Sequence, residues 1–420
     1  MKRFFFSVIA LAALTISCTK SGLVELPQTF ETPITFEPYT GKAPTTKATV
    51  MDSDALQAAL YDATSSPTTK GGFHVSAFTH TGTGETTTAD YTKTPYMDED
   101  VWYVAAVADN PETQDKDETT AAYWDYNGVS YWPEGKLDFV AYGLNAKNYM
   151  DFGTSKTTFT YTVPELVSSQ EDLIVSTPAK GQTNTGAKIN LPFKHLLSKV
   201  GFSLQTNAAT AGVDVIVKKV VLTGNFFEQG TVDMTLTKNY AAANADPDLR
   251  PYITETSTAT TSSYTLLGMP GDDNAVVDYV NGEDGDFDVC VISASSAATT
   301  NQPIYASHVL SRETSGTTVT VGTAVKEGAD VNNRYMMIIP TPTATTQTNM
   351  KITVVYQLTG DEERTAEAQL ANTFKFEAGK GYEFVLKVST LKVDFSVGVT
   401  GWDTGAVEES YTLTPVTPAE

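Results

Sequence analysis

Asp98 and Asp100 in "YMDEDVWYV" are the residues whose type and spacing come nearest to acid–base chemistry, since paired carboxylates do such work in hydrolases. Nothing in the sequence sets them against a substrate. His74 and His80 flank "VSAFT" on one expected strand and are the nearest approach to a metal pair, while His195 and His308 lie far away. No H-E-x-x-H spacing joins any of the four to a carboxylate. Cys290 sits in "DFDVCVIS", where Phe287, Val289 and Val291 mark a packed strand, and a buried thiol without an activating base behaves as a small hydrophobe. Acidic clusters at 271–274 and 281–288 fail the EF-hand pattern: counted from Asp284, glycine falls at the second position and Ser295 at the twelfth. They read as solvated hairpin loops. Neither a G-x-S-x-G elbow nor a phosphate loop occurs. The expectation is a protein with no catalytic residues, no metal and no cofactor.

Composition points the same way. A chain of 420 residues exceeds what one ordinary core organises, which favours about two domains. Thr-rich, Gly-punctuated composition with 20 Tyr, 19 Phe and 41% hydrophobic residues suits β-structure, because branched and aromatic side chains pack on a pleated surface. A net charge of −22 repels nucleic-acid phosphates and anionic lipid surfaces, so nucleic acid is excluded as a partner. Two cysteines, Cys18 and Cys290, allow neither a disulfide framework nor a thiolate zinc cluster.

The opening "MKRFFFSVIALAALTISC" has basic Lys2 and Arg3, an apolar run from Phe4 to Ile16, and small or hydroxyl residues before a cysteine. That is a secretory signal, too short to span a bilayer. With Cys18 at its end it resembles a bacterial lipoprotein signal, in which residues 1–17 are removed and Cys18 is lipidated. The same residues also fit an ordinary signal with an incidental cysteine.

From Leu23 onward Val24, Leu26, Phe30, Ile34 and Phe36 fall on even positions, the period of a strand with one buried face. Pro27, Pro33 and Pro38 deny it the donors of a central strand, so an edge strand or a broken pair is expected. An edge can leave without unthreading a sheet. A polar stretch with room for one helical turn at 55–60 follows, and then strands recur with turn signals between them: "FHVSAFTH", "VWYVAAVA", "KLDFVAYGLN", "TFTYTVP" and "DLIVSTPA". A second series runs from "NLPFKHLLSKVGFSLQT" to "LKVDFSVGVTGW". No convincing amphipathic helix separates them, which disfavours a parallel α/β sheet. The boundary falls at 193/194, giving an 18–47 tether and strand, domains at 48–193 and 194–402, and a tail at 403–420.

"YWPEGKLDFVAYGLN", "LPFKHLLSKVGFSL", "RYMMIIPTP" and "FEAGKGYEFVLKV", in that order behind a lipoprotein-type signal and before a strand ending in Trp402, resemble the fimbrillin, or Mfa-like, pilin subunits of Bacteroidetes. The resemblance runs over nearly the whole chain. It implies two tandem β-sandwich domains of transthyretin-like topology, export to the outer membrane through a lipid anchor, removal of an N-terminal strand by a trypsin-like surface protease, and filling of the opened groove by another subunit's C-terminal strand. Partners would then be other fimbrial subunits and a host or bacterial surface ligand.

Transferred onto this chain, the removable strand is Val24, Leu26, Phe30, Ile34 and Phe36, and the donor is Val407, Tyr411, Leu413 and Val416. A removed edge exposes unpaired backbone groups beside an apolar groove, and each well-buried donor side chain contributes about 1.5–3 kcal/mol. Cleavage in the best-known members of the family that the chain resembles follows arginine, yet no arginine occurs between Arg3 and Arg250; Lys42 and Lys47 are the candidate sites, with Lys70 later. An uncleaved chain would act as an anchor. Two rivals stand beside this reading. A non-polymerising lipoprotein would bind glycans on Trp102, Trp124 and Trp132 with Tyr123, Tyr126 and Tyr131, and a secreted hydrolase would use Asp98 and Asp100.

Overall fold

The computed structural model describes residues 32–40, 72–81, 88–104, 122–164, 170–206, 213, 215–239, 249–255, 260–269, 277–280, 289–292, 302–308, 312–314, 336–340, 350–358, 360–371, 374–389, 392–401, 407–412 and 414–416. The chain is all-β, and the helical element among these residues is a 3-10 turn at Lys147–Tyr149. Among them, no helix is long and apolar enough to cross a membrane.

The first strands are β1 (Phe36–Thr40), β2 (Phe73–Thr81), β3 (Thr88–Ala89), β4 (Met97–Val104), β5 (Tyr123–Tyr126), β6 (Leu137–Gly143), β7 (Met150–Asp151), β8 (Thr158–Thr162), β9 (Ile174–Ser176), β10 (Ala179–Gln182) and β11 (Ile189–His195). One nine-stranded sheet runs β1-β11-β9-β6-β2-β4-β5, with β10 on β6 and β3 on β2. Its two ends meet. Phe36 in β1 lies edge-on to Tyr126 in β5 at 5.9 Å, and the core of Phe36, Phe73, Val75, Val101, Phe139, Leu191 and Phe193 is drawn from this sheet, with Ile34 added from just before β1. The sheet therefore curls around its own apolar face. Strand β6 is buried along its whole length because its other face is covered too, which is why "LDFVAYG" reads as a nearly unbroken apolar run.

The remaining strands are β12 (Ser198–Thr206), β13 (Val215–Phe226), β14 (Gln229–Asp233), β15 (Lys238–Asn239), β16 (Leu249–Arg250), β17 (Ile253–Glu255), β18 (Thr260–Met269), β19 (Val277–Val280), β20 (Val289–Ile292), β21 (Gln302–His308), β22 (Arg312–Thr314), β23 (Met336–Ile338), β24 (Lys351–Leu358), β25 (Glu363–Gln369), β26 (Lys380–Val388), β27 (Val393–Gly401), β28 (Val407–Thr412) and β29 (Thr414–Val416). Fourteen of them form a second large sheet with the path β28-β27-β26-β12-β21-β18-β13-β24-β25-β29. Its core joins Val200, Phe202, Val220, Leu222, Ile352, Val354, Phe384, Phe395 and Val397, from both halves of that path, so this sheet also folds over on itself. In β27 the alternation of Val393, Phe395, Val397 and Val399 appears as strict alternation of burial.

Strand pairing crosses the expected 193/194 boundary within β11, where Lys194 and His195 pair with Val175 and Ile174 of β9, and again further along the chain. β14 pairs with β8 and β17 with β14, completing a four-stranded sheet β17-β14-β8-β7 whose side chains Phe159, Tyr161, Val232 and Ile253 cover Phe78, Val140 and Tyr142 of the nine-stranded sheet. The hairpin at 229–255 thus returns to the strands that precede it in the chain. Local periodicity carries no trace of this, because "GTVDMTLT" alternates equally well in either half.

Under this layer Asp138, 3% exposed, accepts from the Tyr91 hydroxyl at 2.6 Å and the Gly181 amide at 2.5 Å and meets His80 Nε2 at 2.6 Å. Removing a buried carboxylate leaves its donors unsatisfied. Asp138→Ala is expected to lower stability by about 2–4 kcal/mol, read as a shift of the urea midpoint at unchanged slope. A loss below about 0.5 kcal/mol would show that the three donors find water instead.

Candidate functional site

β1 is the parallel edge partner of β11, in register from Phe36 with Ile189 to Thr40 with Phe193. Just before it, Pro33 bridges Tyr131 antiparallel. The Ile34 amide donates to the Ser130 carbonyl at 2.8 Å, the Trp132 amide to the Thr32 carbonyl at 3.0 Å, and the Ile189 amide to the Thr35 carbonyl at 2.8 Å. The Tyr126 hydroxyl donates to the Ile34 carbonyl at 2.8 Å. Residues 32–40 are therefore a closing stave, held on one side by the 130–132 segment and on the other by β11. Ile34 and Phe36, the even positions of the sequence pattern, are 0% and 1% exposed, whereas Pro33, Thr35 and Glu37 face out. The ring of Phe36 meets Phe73, Tyr126 and Phe139 edge-on at 5.9–6.1 Å.

The strand ends later than the sequence pattern suggested. It continues past Phe36 to Thr40, because an edge strand keeps pairing through a residue without an N–H, and Pro38 lies opposite Leu191. Val24, Leu26, Phe30, Cys18, Lys42, Lys47 and Lys70 lie outside the described residues.

At the other end of the chain, β28 pairs antiparallel with β27 from Val399 with Glu409 to Ser396 with Thr412, and Val397 stands opposite Tyr411. β29 pairs antiparallel with β25, Val416 opposite Glu367. Only residue 413 separates these two strands, so one short tail reaches both ends of the fourteen-strand path and covers the edge of each. Val407, Tyr411 and Val416 are placed on these strands, while Leu413 lies outside the described residues.

The histidines and carboxylates that opened the sequence reading are brought together. His74 lies between Asp98 and Asp100, its Nε2 3.0 Å from one and its Nδ1 2.6 Å from the other. Their partner is thus a histidine across the sheet from strand β2, a pairing that spacing along the chain could not reveal. His80 and His74 are committed to different carboxylates, and among the described residues no group of three or more His, Cys, Asp or Glu is arranged to hold a metal ion. Trp102, Trp124 and Trp132 are half-buried against the Phe36 core, Trp132 edge-on to Phe139 at 5.9 Å, so their broad faces serve packing. Tyr123 and Tyr131 are the exposed members of that group, at 41% and 38%.

A family model described as fimbrillin-like matches residues 62–289, more than half of the chain. The chain belongs to the fimbrillin-like family. This is a family of structural fimbrial subunits, not of enzymes. No curated protein matches the sequence. Among solved structures, the fimbrillin-like chain is similar to a fimbrial protein from Bacteroides vulgatus at 14% identity and a TM-score of 0.49, over 88% of this chain and 99% of that one. A candidate cell adhesion protein from Bacteroides uniformis matches at 13% identity and a TM-score of 0.39, over 89% and 100% of the two chains. A fimbrial assembly protein from Parabacteroides distasonis matches at 10% identity and a TM-score of 0.33, over 82% and 91%.

Proposed function

We propose that the chain is a structural subunit of a cell-surface fimbria, exported as an outer membrane lipoprotein through Cys18 and assembled by protease-triggered strand exchange, and that the fibre supports adhesion. The observation that carries this reading is the closing stave at residues 32–40. Its inward side chains, Ile34 and Phe36, are fully buried, yet among the described residues it stands at the end of a sheet path. Taking it away leaves the Ser130 carbonyl and the Ile189 amide without partners beside an apolar slot lined by Phe73, Tyr126 and Phe139. A supplied strand of alternating pattern restores both kinds of contact, so the slot selects an extended segment.

The supplied strand in this reading is the tail of another copy or of a related fimbrial subunit, with Val407, Tyr411, Leu413 and Val416 as its candidate donor residues. Cleavage falls after Lys42 or Lys47, in the connection between β1 and β2, by a trypsin-like surface protease. The 193/194 division stays as the boundary between two units, with the 229–255 hairpin serving the first. A surface ligand on a host or another bacterium is the target of the completed fibre.

Limited trypsin digestion of the soluble chain beginning after Cys18, with mass spectrometry of the new N-terminus and electron microscopy of the product, tests this. A cut confined to Lys42 or Lys47, with filaments that vanish when residues 406–420 are deleted, is the expected result. A resistant N-terminal segment or a persistently monomeric product would count against strand exchange.

A further inference from the structure

Strand β2 carries two faces with different tasks. Phe73, Val75 and Ala77 line the core that Phe36 closes, and His74 and Ser76 lie on the opposite face. Cross-strand register sets His74 against Asp100, and Ser76 against Asp98, on β4, and sets His74 against Tyr142 on β6. The imidazole stacks on the Tyr142 ring at 5.1 Å and 30°, and the Ser76 hydroxyl donates to Asp98 Oδ1 at 2.7 Å. Beyond the carboxylates stand two lysines, Lys147 at 3.4 Å from Asp100 Oδ2 and Lys156 at 2.8 Å from Asp98 Oδ2. Both belong to the connection between β6 and β8, which also carries the 147–149 turn and β7, an outer strand of the four-stranded sheet. The row Lys147, Asp100, His74, Asp98, Lys156 alternates in sign and ties that connection to β4 through β2.

The centre of the row admits one protonation state. A neutral imidazole has a single N–H, so one ring nitrogen would present a lone pair to a carboxylate oxygen 2.6 or 3.0 Å away. Both contacts are donor–acceptor contacts only in the imidazolium, where each nitrogen donates. We propose that His74 is a proton-operated clasp: protonated, it holds Asp98, Asp100 and through them the 147–156 connection against β2 and β4, and when it loses its proton the Asp100–Lys147 arm opens. Asp100 is the arm that yields because Asp98 keeps Ser76 and the shorter lysine contact, while Asp100 has Lys147 alone at 3.4 Å and is the more exposed carboxylate.

Acidity should act on the clasp in a defined window. Burial works against the charged ring, but hydrogen bonds and attraction from Asp100 and Asp98 outweigh it and raise the His74 pKa above its ordinary 6.5. The stabilisation it gives is complete below 6.5 and is lost as pH rises through the higher folded-state value. Hydrogen bonds from His74, opposed by burial and helped by Lys156 and Ser76 at Asp98 and by Lys147 at Asp100, hold both carboxyls below their ordinary 3.8. Their stabilisation is complete above 3.8 and is lost as pH falls through those lower values. The clasp is thus fully formed between about 4 and 6.5. Tyr142 is pushed up by burial and by Asp100 and Asp98, and it stays protonated throughout.

Ring-labelled full chain, followed by NMR from pH 4.5 to 9 together with amide exchange of Tyr149 and Met150 relative to Tyr161, tests the proposal. The expected results are a His74 midpoint above 6.5 and, on crossing it, a relative loss of protection of about tenfold at Tyr149 and Met150. In Asp98→Asn/Asp100→Asn the midpoint should drop by about one unit or more, and in His74→Asn the protection ratio should not change with pH. A wild-type midpoint at or below 6.5, or a protection ratio that stays flat across the midpoint, overturns the clasp; the wild-type titration decides this even if a variant fails to fold.

Discussion

Phe36→Ala lowers stability by about 3–5 kcal/mol, the range for deleting a buried aromatic ring whose surroundings relax only in part. Phe36 is 1% exposed and meets three other rings edge-on, so the cavity would open between both ends of the curled sheet. Phe36→Leu should lose less than about 2 kcal/mol, because most of the volume stays. Tryptophan fluorescence during urea unfolding reads this directly, since Trp102, Trp124 and Trp132, three of the four tryptophans, pack on the Phe36 core. The transition they report should move to lower urea at unchanged slope. A Phe36→Ala loss under about 1 kcal/mol would mean the stave is not integral to that core.

Gly72→Ala is expected to have an effect of similar size, by a different route. Gly72 opens β2 with a φ of +99°, outside the region that other residues adopt, and an added Cβ would overlap the Val101 carbonyl oxygen of β4. On the other side its own carbonyl accepts from the Leu144 amide at 3.1 Å, so the backbone is held between β4 and β6 and cannot step aside. Positive-φ strain and backbone overlap together should lose about 2–5 kcal/mol. Gly128, also at positive φ but with open space around it, provides the control: Gly128→Ala should lose only about 1 kcal/mol, from strain alone. Equal effects at the two positions would show that overlap with Val101 is relieved by movement of β4.

Strand identity was legible wherever one face alone is buried. The even-numbered apolar positions Ile34 and Phe36, the alternation of β27 and the tail at Val407–Thr412 all follow from period two, which is a local property. Edge placement of β1 followed from its prolines. What stayed hidden depends on contacts remote in sequence. The pairing of Pro33 with Tyr131 that curls the first sheet, the return of β14 to β8, and the capture of His74 by Asp98 and Asp100 join segments whose local patterns fit several partners. The tail was legible as a strand, but its position on β27 and β25 of its own chain was not, because an alternating edge segment suits any open edge of compatible face.

The seating of the tail on its own chain sets the energetics of the proposed assembly. With β28 and β29 seated on β27 and β25, donation exchanges one set of backbone pairs for another, and the slot vacated by residues 32–40 supplies the net gain through the buried positions of Ile34 and Phe36. Neither an intact acceptor nor a tail-less donor should associate. The measurement that tests this most directly mixes two preparations and determines mass in solution by light scattering: an acceptor cleaved in the connection after β1 and lacking residues 406–420, and an uncleaved donor with its tail. The account predicts a one-to-one complex that forms from these two and from no other pairing of cleaved, uncleaved, tailed and tail-less chains in which either feature is missing. Two separate monomers in that mixture, with the 32–40 strand demonstrably gone from the acceptor, would contradict it.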